Sequence, residues 1–360
     1  MSSNLSIFKF YNIMKYSIYI YKLNDLDQIC CTFPKHLLSE EMNLFDHFVH
    51  NLKIQYNIVN DINKADIAFI PIDFTKLIYI GAHHSYSIVP VDCPPTPPTE
   101  GVEHKNVIIE YYWNRFVSPY LLNIDKIKHF MIYSYVLYDI SFEYIPNKIH
   151  IFSYEDRTTF SDNNINEKEY PVIIPYPLNG NKIYKQSIIK NYMKYEKKYN
   201  LAFFGSLDRN DILLYYRSFI RYLSFPLINY SGKEAYKYLP NVKYLFVLRG
   251  DTPTRLNFYQ CFAYDIVPII FKKEINLYKK LLCPEINIEE SCLILPDIEN
   301  NKDIEYAVIV DDLLKRELSD ENNYINKIKN HEIIFNNFNW YEENSSIKPL
   351  ENIVNYLVNI

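Results

Sequence analysis

The stretch Val247–Ile270, VLRGDTPTRLNFYQCFAYDIVPII, decides how the chain is read. It leaves an apolar run, Tyr244–Leu248 (YLFVL), breaks at Gly250, and enters a second run at Ile266–Phe271 (IVPIIF). Two runs of strand length with a short helical segment between them form a βαβ unit, whose strands lie parallel. Within the segment, Thr252 can cap the helix and Pro253 can take its first position. The amides of that first turn, the Thr254 hydroxyl and the Arg255 guanidinium would then suit an anion such as a diphosphate.

Units of the same kind extend outward on both sides. Downstream of residue 200, strands are expected at Leu201–Phe204 (LAFF), Leu227–Tyr230 (LINY) and Cys292–Leu295 (CLIL), and two or three helices over 304–360. In the first half, strands are expected at Tyr16–Tyr21 (YSIYIY), Ala65–Ile72 (ADIAFIPI), His129–Tyr133 (HFMIY), Lys148–Phe152 (KIHIF) and Val172–Pro175 (VIIP). Residues 37–53 carry apolar side chains at helical spacing. Strands alternating with helices predict an α/β protein with mainly parallel sheets. The polar stretch 176–200 marks a boundary. The expected division is a first domain over 1–180, a linker over 181–199, a second domain over 200–345 and a C-terminal helix over 346–360. Five prolines between Pro90 and Pro98 make that region an irregular loop.

Glycine is scarce, six in 360 residues, so its placement informs. Gly205, Gly232 and Gly250 each follow an apolar run directly or nearly so. In an open parallel sheet such turns lie at the carboxyl ends of the strands, where ligands bind. Glycine admits a phosphate or ribose close to the backbone, and the next helix offers free amides. Neither a dinucleotide fingerprint nor a P-loop is present. Three such turns point to a nucleotide-type ligand.

Composition narrows the rest. With 48% hydrophobic and 22% charged residues the chain is a folded globular protein. A net charge of -5 disfavours a nucleic-acid partner, which calls for clustered Lys and Arg. The 35 tyrosines and the excess of Ile, Asn and Lys match an AT-rich codon bias. Six cysteines, Cys30, Cys31, Cys93, Cys261, Cys283 and Cys292, show no zinc-ligand spacing and are expected as free thiols. Lys9, Asn12 and Lys15 interrupt the apolar segment 7–21, so no membrane span or signal peptide is expected and the location is expected to be cytoplasmic.

Val247–Ile270 resembles the exostosin-family signature, in which a strand leads into Gly-Asp-Thr-Pro, a helix and an Ile-Pro-Val-Ile-like strand. Other segments resemble that family in the same order: YSIYIYKLND (Tyr16–Asp25), KADIAFIPID (Lys64–Asp73), EYYWNRF (Glu110–Phe116), YPVIIPYP (Tyr170–Pro177) and NLAFFGSLDRND (Asn200–Asp211). The resemblance spans about residues 16–271. It implies a GT-B-like architecture, two Rossmann-like domains facing across a cleft with C-terminal helices. It also implies transfer of a sugar from a nucleotide sugar, such as a UDP-sugar, to a glycan or glycoprotein hydroxyl with inversion. The donor would lie in the second domain and the acceptor in the first, with no cofactor and no essential metal.

On that resemblance the donor site comprises Gly205, Arg209, Arg249, Gly250, Asp251, Thr252, Thr254, Arg255 and Gln260. Lys233 is a further cation for the leaving diphosphate. Gln260 stands where the family has an acidic residue that accepts from ribose hydroxyls. Leu256 and Asn257 replace its usual basic pair, Asp265-Ile266 its Gly-Cys, and Tyr135-Val136 its His-Asp. Candidates for the catalytic base are Asp73, at the end of a strand, then Glu110 and Asp139, with the pair His83-His84 behind them. His129 reads equally as a satisfied structural histidine. Two rivals stand beside the transferase: a degenerate GT-B protein that binds a glycan or nucleotide sugar without turnover, and a nucleotide-sugar epimerase or hydrolase.

Overall fold

The computed structural model describes residues 16–24, 40–82, 102–133, 144–153, 172–174, 196–207, 217–230, 235–248, 255–279, 287–298, 303–338 and 348–360. The chain divides into two compact units, Met1–Pro177 with Trp340–Ile360, and Leu178–Asn339.

The first unit holds strands β1 (Ser17–Ile20), β2 (Asn57–Val59), β3 (Ile67–Phe69), β4 (Lys128–Tyr133), β5 (Ile149–Ser153) and β6 (Val172–Ile173). They run in the order β2-β1-β3-β4-β5-β6, and every neighbouring pair is parallel. Helices α1 (Glu40–Gln55), α2 (Phe74–Ala82) and α3 (Val102–Phe116) connect strands of this sheet. A parallel sheet covered on both faces needs strands that are apolar throughout, and β3 is buried at all three residues. Phe69 turns to α1, with Phe45 and Phe48 at ring distances of 6.3 and 5.3 Å. Ala68 joins Leu77 and Ile78 of α2 and Trp113 of α3 on the opposite face.

Trp113 and Tyr112 are among the largest fully buried side chains. The Tyr-Trp-Asn-Arg run is therefore an anchor of α3 in the core, and its Arg115 lies 5.8 and 5.5 Å from the ring centres of Tyr111 and Phe116. The strand expected over 65–72 shortens to three residues, because Ile72 N donates to Ile70 O in a turn before Asp73. The three-residue β2 went unforeseen. It is too short for a periodic pattern and lies at the sheet edge, where the Asn57 side chain is exposed.

The second unit holds β7 (Tyr199–Phe204), β8 (Ile228–Tyr230), β9 (Val242–Phe246), β10 (Val267–Phe271) and β11 (Leu293–Leu295). All its pairs are parallel, in the order β11-β10-β9-β7-β8. Helices α4 (Ala235–Tyr238), α5 (Leu256–Ala263) and α6 (Lys272–Lys279) connect these strands. Then come α7 (Asp303–Leu318), α8 (Glu321–Ile328) and α9 (His331–Phe338). Phe203, Phe246, Ile269 and Leu295 share one core cluster with Tyr306, Val310 and Leu314 of α7.

The last helix, α10 (Lys348–Asn359), belongs to the first unit. It buries Leu350, Ile353, Val354 and Leu357, and sets Tyr356 edge-on to Phe152 of β5 at 6.0 Å. The region from 303 onward thus carries four helices among the described residues, more than the two or three expected. Asp320 accounts for one break: its carboxylate accepts from Asn322 N at 2.9 Å and starts α8 directly after α7.

Both sheets are doubly wound; numbered within each unit, the first runs 2-1-3-4-5-6 and the second 2-1-3-4-5. In that order the chain reverses its direction of travel between the first and third strands, leaving a crevice at their carboxyl ends. In the first unit the crevice falls between β1 and β3. In the second it falls between β7 and β9.

Candidate functional site

Two connections leave the carboxyl ends of β7 and β9, and both are segments singled out by sequence. The turn after β7 carries Gly205. A Cβ there would come within 2.8 Å of Phe203 Cζ, so any larger residue has to displace the buried ring two positions back in the strand. Arg217, 3% exposed, donates from Nη1 to Ser206 O at 3.2 Å and lies 5.6 Å from the centre of the Phe203 ring. Arg221 donates to Leu207 O in the same turn. Two arginines thus fix the shape of this turn. Sequence reading missed them because they lie ten or more residues downstream and touch it only through backbone carbonyls.

The connection after β9 reaches α5 through residues 249–254. Arg249, Gly250, Asp251, Thr252 and Thr254 lie outside the described residues, as do Arg209, Lys233 and the pair His83-His84. The described helix begins later than expected. Arg255, with φ -137 and ψ 131, is the N-cap of α5, and the helix starts at Leu256 rather than at Pro253. The reason is a tertiary contact. Tyr278 of α6 offers its hydroxyl to Arg255 N at 2.9 Å, and its ring stacks on Phe258 at 3.7 Å. One orphan amide of the helix start is thereby satisfied by another helix, without a side-chain cap from Arg255 itself.

Gln260, on the second turn of α5, is 1% exposed, and neither amide atom has a hydrogen-bond partner among the described residues. Phe258, Tyr259 and Phe262 pack toward α6 and α9, where their rings meet Tyr278 and Phe338. The other side of the helix carries Leu256, Asn257 and Ala263, all half-buried, with Gln260 among them. A buried amide with no partner costs roughly 1–3 kcal/mol, so this position calls for a polar group from outside the described set.

No family model matches the chain, and no curated protein matches it in sequence. Among solved structures it is similar to WaaG, a glycosyltransferase involved in lipopolysaccharide biosynthesis. The identity is 8% over 94% of this chain and 99% of that one, with a TM-score of 0.38. It is also similar to Arabidopsis thaliana UGT89C1 complexed with quercetin, at 9% identity over 88% of this chain and 76% of that one, with a TM-score of 0.30. At such scores neither likeness decides the fold, which the strand order of the two sheets gives directly.

In the first unit the crevice between β1 and β3 is bridged by charge. Asp73 accepts from Lys76 N at 3.1 Å and so caps α2. Lys76 Nζ sits 3.2 Å from Asp73 Oδ2 and donates to both oxygens of Asp46 on α1 at 3.1 Å. The lysine ties together helices on opposite faces of the sheet. Burial raises the pKa of Asp73, and Lys76 opposes that rise by charge and hydrogen bonding. Burial alone would lower the pKa of Lys76, but Asp73 and Asp46 together hold it above the ordinary lysine value.

The Asp73 side chain is 2% exposed, whereas that of Asp46 is 60% exposed. Asp73 therefore serves as cap and ion-pair partner, and the carboxylate presented to solvent at this crevice is Asp46, which sequence reading did not single out. Only a tertiary contact across 30 residues distinguishes it. Glu110 is exposed on α3, and Asp139 lies outside the described residues. His129 is satisfied: its Nδ1 donates to Ile127 O at 2.8 Å, and its Nε2 accepts from Tyr21 Oη at 2.7 Å. Burial lowers its pKa.

Among the described residues no cluster of His, Cys, Asp and Glu could hold a metal ion, and no helix is long and apolar enough to cross a membrane. Cys261 and Cys292 are free and buried, and burial raises both thiol pKa values. The other four cysteines lie outside the described residues.

Proposed function

We propose that the chain is a GT-B-type glycosyltransferase that moves a sugar from a nucleotide-sugar donor, a UDP-sugar foremost, to a glycan or glycoprotein hydroxyl with inversion. One feature supports this above all: the connection carrying Arg249–Arg255 leaves β9 at the switch point of the second sheet, beside the Gly205 turn. Ligands of doubly wound sheets bind at that point. The Gly-Asp-Thr-Pro run in this connection resembles the exostosin-family signature.

In this reading the amides of the connection, with Thr254, Arg249, Arg255 and Arg209, receive the diphosphate, while Gly205 admits it close to the backbone. Asp251 and Thr252 shape the turn, and the Gln260 amide accepts from a ribose hydroxyl. In the transfer, the acceptor oxygen loses its proton to a carboxylate and forms a bond to the anomeric carbon. The bond from that carbon to the diphosphate breaks, and the leaving group departs with its electron pair, stabilised by the cations. Of the carboxylates expected on the first-unit side, Asp73 is taken up by its cap and ion pair, which leaves Glu110 and Asp139, and no metal is invoked.

A second reading has one specific support. Gln260 offers a neutral amide where the resembled family has a charged acceptor, and this suits a protein that binds the nucleotide sugar without turnover. A thermal-shift titration against UDP, GDP and their sugar conjugates tests both. A ligand at 100 times its Kd should raise the melting temperature by roughly 5–10 °C, and Arg255→Ala should abolish the rise. No rise with any nucleotide would refute the donor site. A rise without transfer to any acceptor would favour the binding protein.

A further inference from the structure

A cavity of about 450 Å³ opens in the first unit over the carboxyl ends of β1 and β2. Its lining includes the apolar or aromatic side chains Tyr19, Ile20, Phe45, Val49, Ile58 and Pro71. Around the rim stand Lys22 and Asn24 from the turn after β1, Asp46 and Lys53 from α1, and Asn60 from the end of β2. Phe45, Val49 and Lys53 follow one another at intervals of four, so one face of α1 forms the wall. The volume suits one sugar ring with its substituents.

The rim has two kinds of polar group. Asp46 is held in place: Lys76 donates to both of its oxygens, and Lys76 is fixed in turn by buried Asp73. A carboxylate has about four lone-pair sites, so each oxygen keeps capacity for a further donor, and paired hydroxyls match that spacing. The side chains of Lys22, Asn24, Lys53 and Asn60, by contrast, are exposed. The charged residues lining the cavity are two lysines, Lys22 and Lys53, against one carboxylate, Asp46. The excess is one positive charge.

We propose that this cavity binds a sugar ring carrying an anionic group, a carboxylate or a phosphate. Asp46 accepts from two ring hydroxyls, the apolar side chains of the lining take the face of the ring, and Lys22 and Lys53 meet the anion. The proposal rests on the glycosyltransferase reading, in which this ring is the acceptor unit, and gives that acceptor a chemical class. Asp46 is here a binding residue, and Lys76 and Asp73 position it.

Saturation-transfer NMR on the full chain tests this with glucuronate, glucose 6-phosphate, glucose and inorganic phosphate. Glucuronate or glucose 6-phosphate should bind at least about tenfold more tightly than glucose, and whichever does so identifies the anion. Inorganic phosphate should not displace it. Lys22→Ala with Lys53→Ala should remove the preference and leave glucose binding in place. Asp46→Asn should weaken all three sugars, and Val49→Trp should fill the cavity and abolish binding.

Melting curves and the nucleotide-induced shift are recorded on the same samples. Val49→Trp should retain that shift, so failure of this pocket and failure of the donor site are read separately. If Val49→Trp does not fold, Asp46→Asn and the lysine pair decide. Equal affinity for glucose and glucuronate without preference for the phosphate would overturn the proposal. So would no transfer to any sugar from a folded protein, or binding unaffected by these substitutions.

Discussion

His331 should make the protein acid-sensitive in a way that one substitution removes. The ring opens α9 at 0% exposure, edge-on to Phe262 at 4.9 Å. Neither nitrogen has a hydrogen-bond partner among the described residues. Burial above all, with a smaller push from the charge of Lys197, brings its pKa down from 6.5 to about 3. The Ser291 backbone opposes this, though not at hydrogen-bonding geometry. At neutral pH the ring is uncharged, so its 3.8 Å approach to Asp265 is no ion pair.

The unfolded chain takes up a proton near pH 6.5, whereas the folded one refuses it until about 3. Stability is therefore fully present above pH 6.5 and falls as pH drops through that window. Between pH 7 and pH 5 the loss is about 2 kcal/mol. Lys197, with its own pKa lowered by burial to about 8, stays protonated throughout and adds no slope. Urea unfolding of the wild type and His331→Leu at pH 7 and pH 5 measures the effect. The wild type should lose about 2 kcal/mol more than the variant. His129 and His150, also lowered by burial, titrate alike in both proteins and cancel. Equal losses would refute the assignment of a buried, neutral His331.

Three further outcomes follow from packing. Gly205→Ala should destabilise the second unit by about 1–3 kcal/mol, because its methyl meets the Phe203 ring; Phe203→Leu should recover part of that in calorimetry, and additivity would count against the contact. Asp73→Ala should cost about 3–5 kcal/mol in chemical denaturation, since it removes the α2 cap and a buried partner of Lys76; a change below about 1 kcal/mol would show the ion pair to be dispensable. Tyr278→Phe should cost about 1 kcal/mol by orphaning the Arg255 amide, and should also weaken any nucleotide that Arg255 holds; unchanged nucleotide affinity would separate the helix start from the ligand.

Most strands were legible because a parallel sheet covered on both faces demands unbroken apolar runs. HFMIY, LAFF and IVPIIF are such runs, and each became a strand. The Gly250 connection was legible for a related reason: a rare glycine after an apolar run marks a strand's carboxyl end. Where propensity and packing disagreed, packing won. Thr252 and Pro253 make a good local start for a helix, yet the described helix α5 starts at Leu256, where the Tyr278 ring stacks on Phe258 and its hydroxyl accepts from Arg255 N.

The sequence by itself determined the α/β class and the position of most strands, because strand composition is a local property. Only the tertiary structure decided what the polar side chains do. Asp73 and Asp46 differ little as residues in a sequence, but Lys76 draws one into the core and holds the other at a cavity mouth. Gln260 is a buried amide without a partner among the described residues, which its place in the sequence does not reveal. Burial and pairing depend on which distant segments meet, and the order of strands at the two switch points sets that.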